Sequence, residues 1–228
     1  KLDENAQFVL ERCAEQAGGS DLYAKSLMAL TLKFDGQDAK AAALLAIAEC
    51  LRFGVTSVSD LYYYPNATAE AVAQSGIKAN LALSSYRFID PNECQELDRV
   101  IDRWNGFDEG RIKIDAGIYA EYTSNYRLWE GLAGYASEKG IGMQLHLAET
   151  KGEVESCLER TGMGPGELLD CHRLFCIPAT AVSCTYLEPH ERKLLGKKHV
   201  TAVATPVAAY KSGEATTPIL ESVKSGMN

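Results

Sequence analysis

Apolar and polar positions change rhythm near residue 54. Before it they recur with helical spacing: ENAQFVLERCAEQA, SDLYAKSLMALTL and QDAKAAALLAIAECLRFG are rich in Ala, Leu, Glu and Lys, and Gly18, Gly19 and Gly36 punctuate them. After it, short β-branched and aromatic runs alternate with amphipathic ones. Strands are predicted over residues 55–64, 77–85, 111–119, 141–149, 180–187 and 199–207. Helices are predicted over 68–76, 92–106, 126–140, 151–162, 164–175, 189–198 and 216–226. Strand-then-helix repetition of this kind builds a parallel sheet from βα units. No low-complexity segment or linker interrupts the units. The expected organisation is a helical N-terminal segment over residues 1–36 and one barrel portion over 37–228.

An open doubly wound sheet and a (β/α) barrel share this rhythm. A dinucleotide-binding sheet carries G-x-G-x-x-G after an early strand, whereas Gly162, Gly164 and Gly166 have another spacing. Gly196-Lys197-Lys198 lacks both the upstream glycine and the Ser/Thr of a phosphate loop. The expected fold is therefore α/β, a (β/α) barrel of about six units, with its chemistry at the C-terminal ends of the strands.

Composition narrows the partners. The chain has 228 residues, 46% of them hydrophobic, which is enough to bury a core. Its net charge is −8. An acidic surface repels phosphate backbones, so neither nucleic acid nor an anionic membrane is an expected partner. The longest apolar run, AAALLAIAECL over 41–51, is too short to cross a bilayer. Seven scattered cysteines with no C-x-x-C fit reduced thiols, and a cytoplasmic location without a signal peptide is expected.

The stretch MQLHLAET, residues 143–150, ends an apolar strand with His146 and places Glu149 three residues later. An imidazole at that rim can bind a divalent metal, and a carboxylate beside it can move a proton. A packed histidine followed by a glutamate at a helix start fits the same letters. Asp60 is either a rim carboxylate or the cap of the loop after it. His172 lies near Cys171 and Cys176, and a makeshift site with Cys184 would match no standard zinc spacing. His190 opens a solvated helix, and His199 starts its strand, at the wrong end of a barrel.

Four segments bear a resemblance: LLAIAECLRFGVTSVSDLYYY (44–64), AEYTSNYRLWEGLAGYASEKGIGMQLHLAETKGEVESCLERTG (120–162), SCTYLEPHERKLL (183–195) and TPVAAYKSGEATTPILESVKSGMN (205–228). In order and spacing they resemble the amidohydrolase superfamily, in the branch of adenosine-type, S-adenosylhomocysteine and methylthioadenosine deaminases and their chlorohydrolase relatives. The resemblance implies a metal-dependent barrel that removes an exocyclic amine from an N-heterocycle, with zinc or iron as the divalent metal. It implies that His146 is a metal ligand and that Glu149 shuttles protons.

Other positions depart from the family. Tyr119 stands where relatives have a histidine touching substrate, and Ser183-Cys184 stands where they have His-Cys. Ala204 and Thr205 replace a histidine and an asparagine ahead of Pro206. None of the four histidines forms the family's His-x-His pair. The first strand, the eighth strand and the small flanking β domain are expected to be absent, with the eighth-strand aspartate falling beyond Asn228.

Two functional expectations follow. One is an incomplete hydrolytic deaminase, impaired as an isolated chain, with Tyr119 and Ser183 at substrate-contacting positions. The other is a non-catalytic scaffold or small-molecule-binding protein on an altered barrel, with no bound metal. A partial barrel exposes strand edges, so self-association into a homo-oligomer is also expected.

Overall fold

The computed structural model describes residues 36–85 and 91–228, and the helices expected before residue 36 lie outside the described residues. Among the described residues six strands are present: β1 (Ser57–Tyr62), β2 (Lys78–Ser85), β3 (Ile112–Ile118), β4 (Met143–Leu147), β5 (Ala179–Ser183) and β6 (Thr201–Val203). The principal helices are α1 (Gly36–Arg52), α2 (Pro65–Ser75), α3 (Pro91–Trp104), α4 (Tyr126–Lys139), α5 (Lys151–Thr161), α6 (Pro165–Cys171), α7 (Pro189–Lys197), α8 (Pro206–Ser212) and α9 (Ile219–Lys224).

Local chemistry sets the helix ends. Pro65 opens α2, where its missing N–H costs nothing, and Gly76 closes it at φ 82°, a conformation open to glycine. The Asn125 side chain caps α4 by accepting from the backbone N–H groups of Arg127 and Leu128. The predicted strand over 199–207 is the largest departure. Only Thr201–Val203 pairs, and Pro206 then starts α8. A proline cannot donate to a ladder but suits the first turn of a helix.

The strands hydrogen-bond in the order β1-β2-β3-β4-β5-β6, all parallel. A doubly wound sheet would reverse its direction of growth at a central strand. Unbroken sequential order is the winding of a (β/α) barrel, here an open half-barrel with helices packed outside.

Alternation along the strands separates two faces. Ile112, Ile114, Ala116 and Ile118 of β3 join one buried cluster with Leu97, Val100 and Trp104 of α3 and Leu128 and Leu132 of α4. Each large side chain buried there contributes roughly 1.5–3 kcal/mol. The opposite face carries a polar chain. Ser59 Oγ donates to Gln144 Oε1 at 2.8 Å, and Gln144 Nε2 donates to Asp115 Oδ2 at 3.2 Å. Asn80 Nδ2 donates to the same oxygen at 2.7 Å, and Asp115 Oδ1 accepts from the Gly142 N–H at 2.9 Å. Four strands are thereby tied across their inner faces. Gly117 fits closely nearby: a Cβ at that position would force Leu61 Cδ1 to move.

The two ends of the sheet differ. At β6 the backbone of Asn228 pairs outside the strand: Ala202 N–H donates to its carbonyl at 2.9 Å, and its N–H donates to the Val200 carbonyl at 3.2 Å. Apolar side chains are exposed beside both edges, including Leu45 and Phe53 with α1 and Ile219, Leu220 and Val223 on α9. Among the described residues no helix is long and apolar enough to cross a membrane.

Candidate active site

His146 is the penultimate residue of β4, at the C-terminal rim of the sheet. The Tyr119 carbonyl accepts the His146 backbone N–H at 3.0 Å and lies 2.9 Å from its Nδ1. A carbonyl oxygen only accepts, so Nδ1 carries the hydrogen. In the neutral ring the Nε2 lone pair then faces away from this anchor, the arrangement used by metal-binding histidines. The Tyr119 ring lies 5.0 Å from the imidazole, and the Tyr122 ring is edge-on to Tyr119 at 6.5 Å.

Glu149 follows in the loop between β4 and α5. That loop turns through Ala148, whose φ of 49° is left-handed although the residue is not glycine. Glu153, in the first turn of α5, is buried beneath it. Its Oε2 accepts the Glu149 N–H at 2.9 Å and its Oε1 the Ala148 N–H at 3.2 Å. Thr150 Oγ1 accepts the Glu153 N–H in return. Burial pushes the Glu153 carboxyl up to about 7, against the opposing pull of the Glu149, Thr150 and Ala148 amides.

Neighbouring loops are fastened to this one. After β3, buried Glu121 pairs at 2.7 Å with Arg160 of α5, which ties the Tyr119 loop to the helix that follows Glu149. After β5, Cys184 N–H donates to the Leu147 carbonyl at 2.8 Å, and Tyr186 N–H donates to the Ala148 carbonyl at 3.0 Å. Ser183 and Cys184 are both left-handed, at φ 76° and 50°. Non-glycine residues pay for such conformations, and they concentrate at functional rims. Ser183 Oγ lies 3.2 Å from Thr205 Oγ1. The Cys184 thiol is buried, which pushes it up to about 12 and makes it a poor nucleophile.

The rim thus gathers Tyr119, His146, Glu149 and Ser183 at the ends of three adjacent strands. Asp60 is elsewhere. It alternates with Ser59 and Leu61, it bonds the Thr68 side chain at the start of α2, and burial raises its pKa. Asp60 therefore faces the α2 side of β1, while the N-cap position of α2 is Tyr64 and receives no side-chain hydrogen bond. His172 is held at 2.9 Å by Glu130 and packs against Tyr126 and Trp129, away from any thiol cluster. His190 is exposed, 3.6 Å from Glu167. Glu153 is the residue that the motif reading missed. The T-x-x-E spacing of Thr150 and Glu153 is a helix-start signature that could have found it. The Glu121–Arg160 pair has no local signal.

Fold and rim together define a protein of partial (β/α)-barrel architecture, with Tyr119, His146, Glu149 and Ser183 at the C-terminal ends of its strands. The chain belongs to the amidohydrolase family, whose pattern matches residues 15–228. It is similar to a 5-methylthioadenosine/S-adenosylhomocysteine deaminase of Caldicellulosiruptor saccharolyticus, 34% identical over 185 residues, covering 81% of this chain and 43% of that protein. A 5'-deoxyadenosine deaminase of Methanopyrus kandleri is 31% identical over 203 residues, covering 86% and 46%. Among solved structures, a zinc-bound adenosine deaminase of Xanthomonas campestris superposes with a TM-score of 0.76 at 23% identity, covering 85% of this chain and 45% of that one. An atrazine chlorohydrolase of Arthrobacter aurescens, complexed with zinc, gives 0.77 at 20% identity, covering 90% and 52%. The chain spans about half the length of the curated relatives it matches.

A catalytic zinc normally takes three protein ligands and keeps one open position. Among the described residues no three His, Cys, Asp or Glu side chains converge to hold a metal. His146 supplies one donor, so these residues do not by themselves fit the group.

Proposed function

We propose that this chain carries part of a hydrolytic deaminase site for an adenosine-type N-heterocycle. Residues 37–228 act as one barrel portion. His146 is one ligand of a divalent metal, zinc or iron, through Nε2. Glu149 is the proton carrier: it takes one proton from the attacking water and delivers it to the ring nitrogen as the C–O bond forms, then takes the second proton from the new hydroxyl and passes it to the amine, which leaves as ammonia as the C–N bond breaks and the carbonyl forms. Tyr119 and Ser183 line the substrate side of the rim. With one donor present, the isolated chain holds metal weakly and turns over poorly.

The observation that carries this reading is the anchoring of His146. Its Nδ1 side is fixed by the Tyr119 carbonyl, on the same rim as the loop that carries Glu149. A histidine that merely filled space would not need its free nitrogen set in this way. The relatives' names supply the substrate class.

The test pairs metal content with ammonia release. Purified chain and His146→Ala are compared by mass spectrometry after zinc titration, and ammonia is assayed with 5'-deoxyadenosine and 5-methylthioadenosine. Expected are weak zinc binding lost in the variant and slow ammonia release lost in Glu149→Gln. Zinc binding that is unchanged in His146→Ala would sink the ligand assignment. A second reading draws on the hydroxyl contact between Ser183 and Thr205, where the family places His and Asn. It is a non-catalytic binder, and heterocycle binding that survives a chelator with no ammonia release would establish it instead.

A further inference from the structure

We infer that Glu153 is a positioning residue for Glu149: its buried carboxyl group holds the backbone of residues 148–150 in the path that delivers Glu149 to the rim. This rests on the reading of Glu149 as the proton carrier.

The geometry extends an ordinary helix cap, since the Thr150 amide also acts on the Glu153 carboxyl. In a capping box the third-position carboxylate reaches back to the N-cap amide. Thr150 is the N-cap here, and its hydroxyl accepts from Glu153 as expected. The Glu153 side chain reaches further, to the amides one and two residues before the cap, at 2.9 Å for Glu149 and 3.2 Å for Ala148. The left-handed turn at Ala148 lets successive amides converge on one acceptor, a backbone nest closed around a protein carboxyl.

The carbonyl side of the same loop is fixed independently. Leu147 and Ala148 carbonyls accept from Cys184 and Tyr186 beyond β5. The peptide groups that lead into Glu149 are thus pinned by donors from one neighbour and by an acceptor from the other. Removing Glu153 would leave the buried Ala148 amide and the half-buried Glu149 amide without their acceptor, and the left-handed Ala148 held only through its carbonyl. The loop would relax, and Glu149 would move with it.

The test separates positioning from stability. Backbone amide resonances and hydrogen exchange at Ala148 and Glu149 are followed in the full chain for wild type, Glu153→Gln, Glu153→Asp and Thr150→Ala. Thr150→Ala removes the cap hydroxyl and leaves the grip on the loop amides. Expected are upfield shifts and exchange faster by at least about tenfold at both amides in Glu153→Gln, with the same direction in Glu153→Asp. Thr150→Ala should lose stability while changing exchange at these two amides by less than about twofold. Equal effects in Thr150→Ala and the Glu153 variants, or no effect in any, would overturn the inference. With ammonia release measurable, Glu153→Gln should lower kcat about tenfold or more while KM stays near wild type. A parallel rise in KM with kcat retained would also overturn it. Absence of ammonia release from wild type would remove the deaminase reading alone, since the amide measurements stand without turnover.

Discussion

The buried carboxyl of Glu153 should make the stability of the chain depend on pH in an unusual direction. The perturbation is Glu153→Gln, which keeps the volume and removes the titration. Burial raises the folded-state value from 4.5 to about 7, and at about 1.36 kcal/mol per pH unit that displacement corresponds to about 3 kcal/mol. A raised value means that the folded state binds the proton more tightly than the unfolded chain. The favourable contribution is therefore complete below about 4.5 and is lost as pH rises through about 7. Most acidic groups in salt bridges behave in the opposite sense. Urea unfolding of both proteins in parallel from pH 4.5 to 8 isolates the effect, because other titrating groups cancel in the difference. Wild type should lose about 3 kcal/mol relative to Glu153→Gln across that window. A difference that stays flat, or a wild type that gains on the variant as pH rises, would refute the reasoning.

Three further outcomes are expected. Arg160→Ala should destabilise by about 2 kcal/mol in urea unfolding, since it strands the buried Glu121 carboxylate, and adding Glu121→Gln should recover part of the loss. The exposure of Arg160 keeps this figure below that of a fully buried pair. Gly117→Ala should cost about 1–3 kcal/mol by overpacking against Leu61, and Leu61→Ala should suppress that cost in a double-mutant cycle. Light scattering should find self-association, weakened by Leu220→Glu and Val223→Glu on the exposed face of α9. A clean wild-type monomer at working concentration would rule it out.

Much of the architecture was legible because it is local. Short apolar or β-branched runs alternating with amphipathic ones marked all six strands, and the alternation of units implied parallel winding. Strand ends were overextended because a run such as VATPV stays β-branched after the ladder stops, and only Pro206 signals the helix. His146 and Glu149 were visible because strand end and loop are contiguous in sequence. Their supports were not. The Tyr119 carbonyl carries no side-chain signal, and the Glu121–Arg160 pair spans 39 residues. The left-handed turns at Ser183 and Cys184 use residue types that seldom adopt them. The inner-face chain from Ser59 to Asp115 depends on strand register, which patterning alone leaves open.

Sequential strand order also bears on how such a site can be inherited. Each βα unit borders only the units before and after it in the chain. Tyr119, His146, Glu149, Glu153 and Ser183 occupy consecutive interior units, β3 to β5, so adding or deleting a unit at β1 or β6 requires no rethreading through them. Duplication, fusion or exchange at the sheet edges would carry the His146–Glu149 block along intact. The fold therefore lets units be exchanged at either edge while the interior units β3 to β5 keep their neighbours.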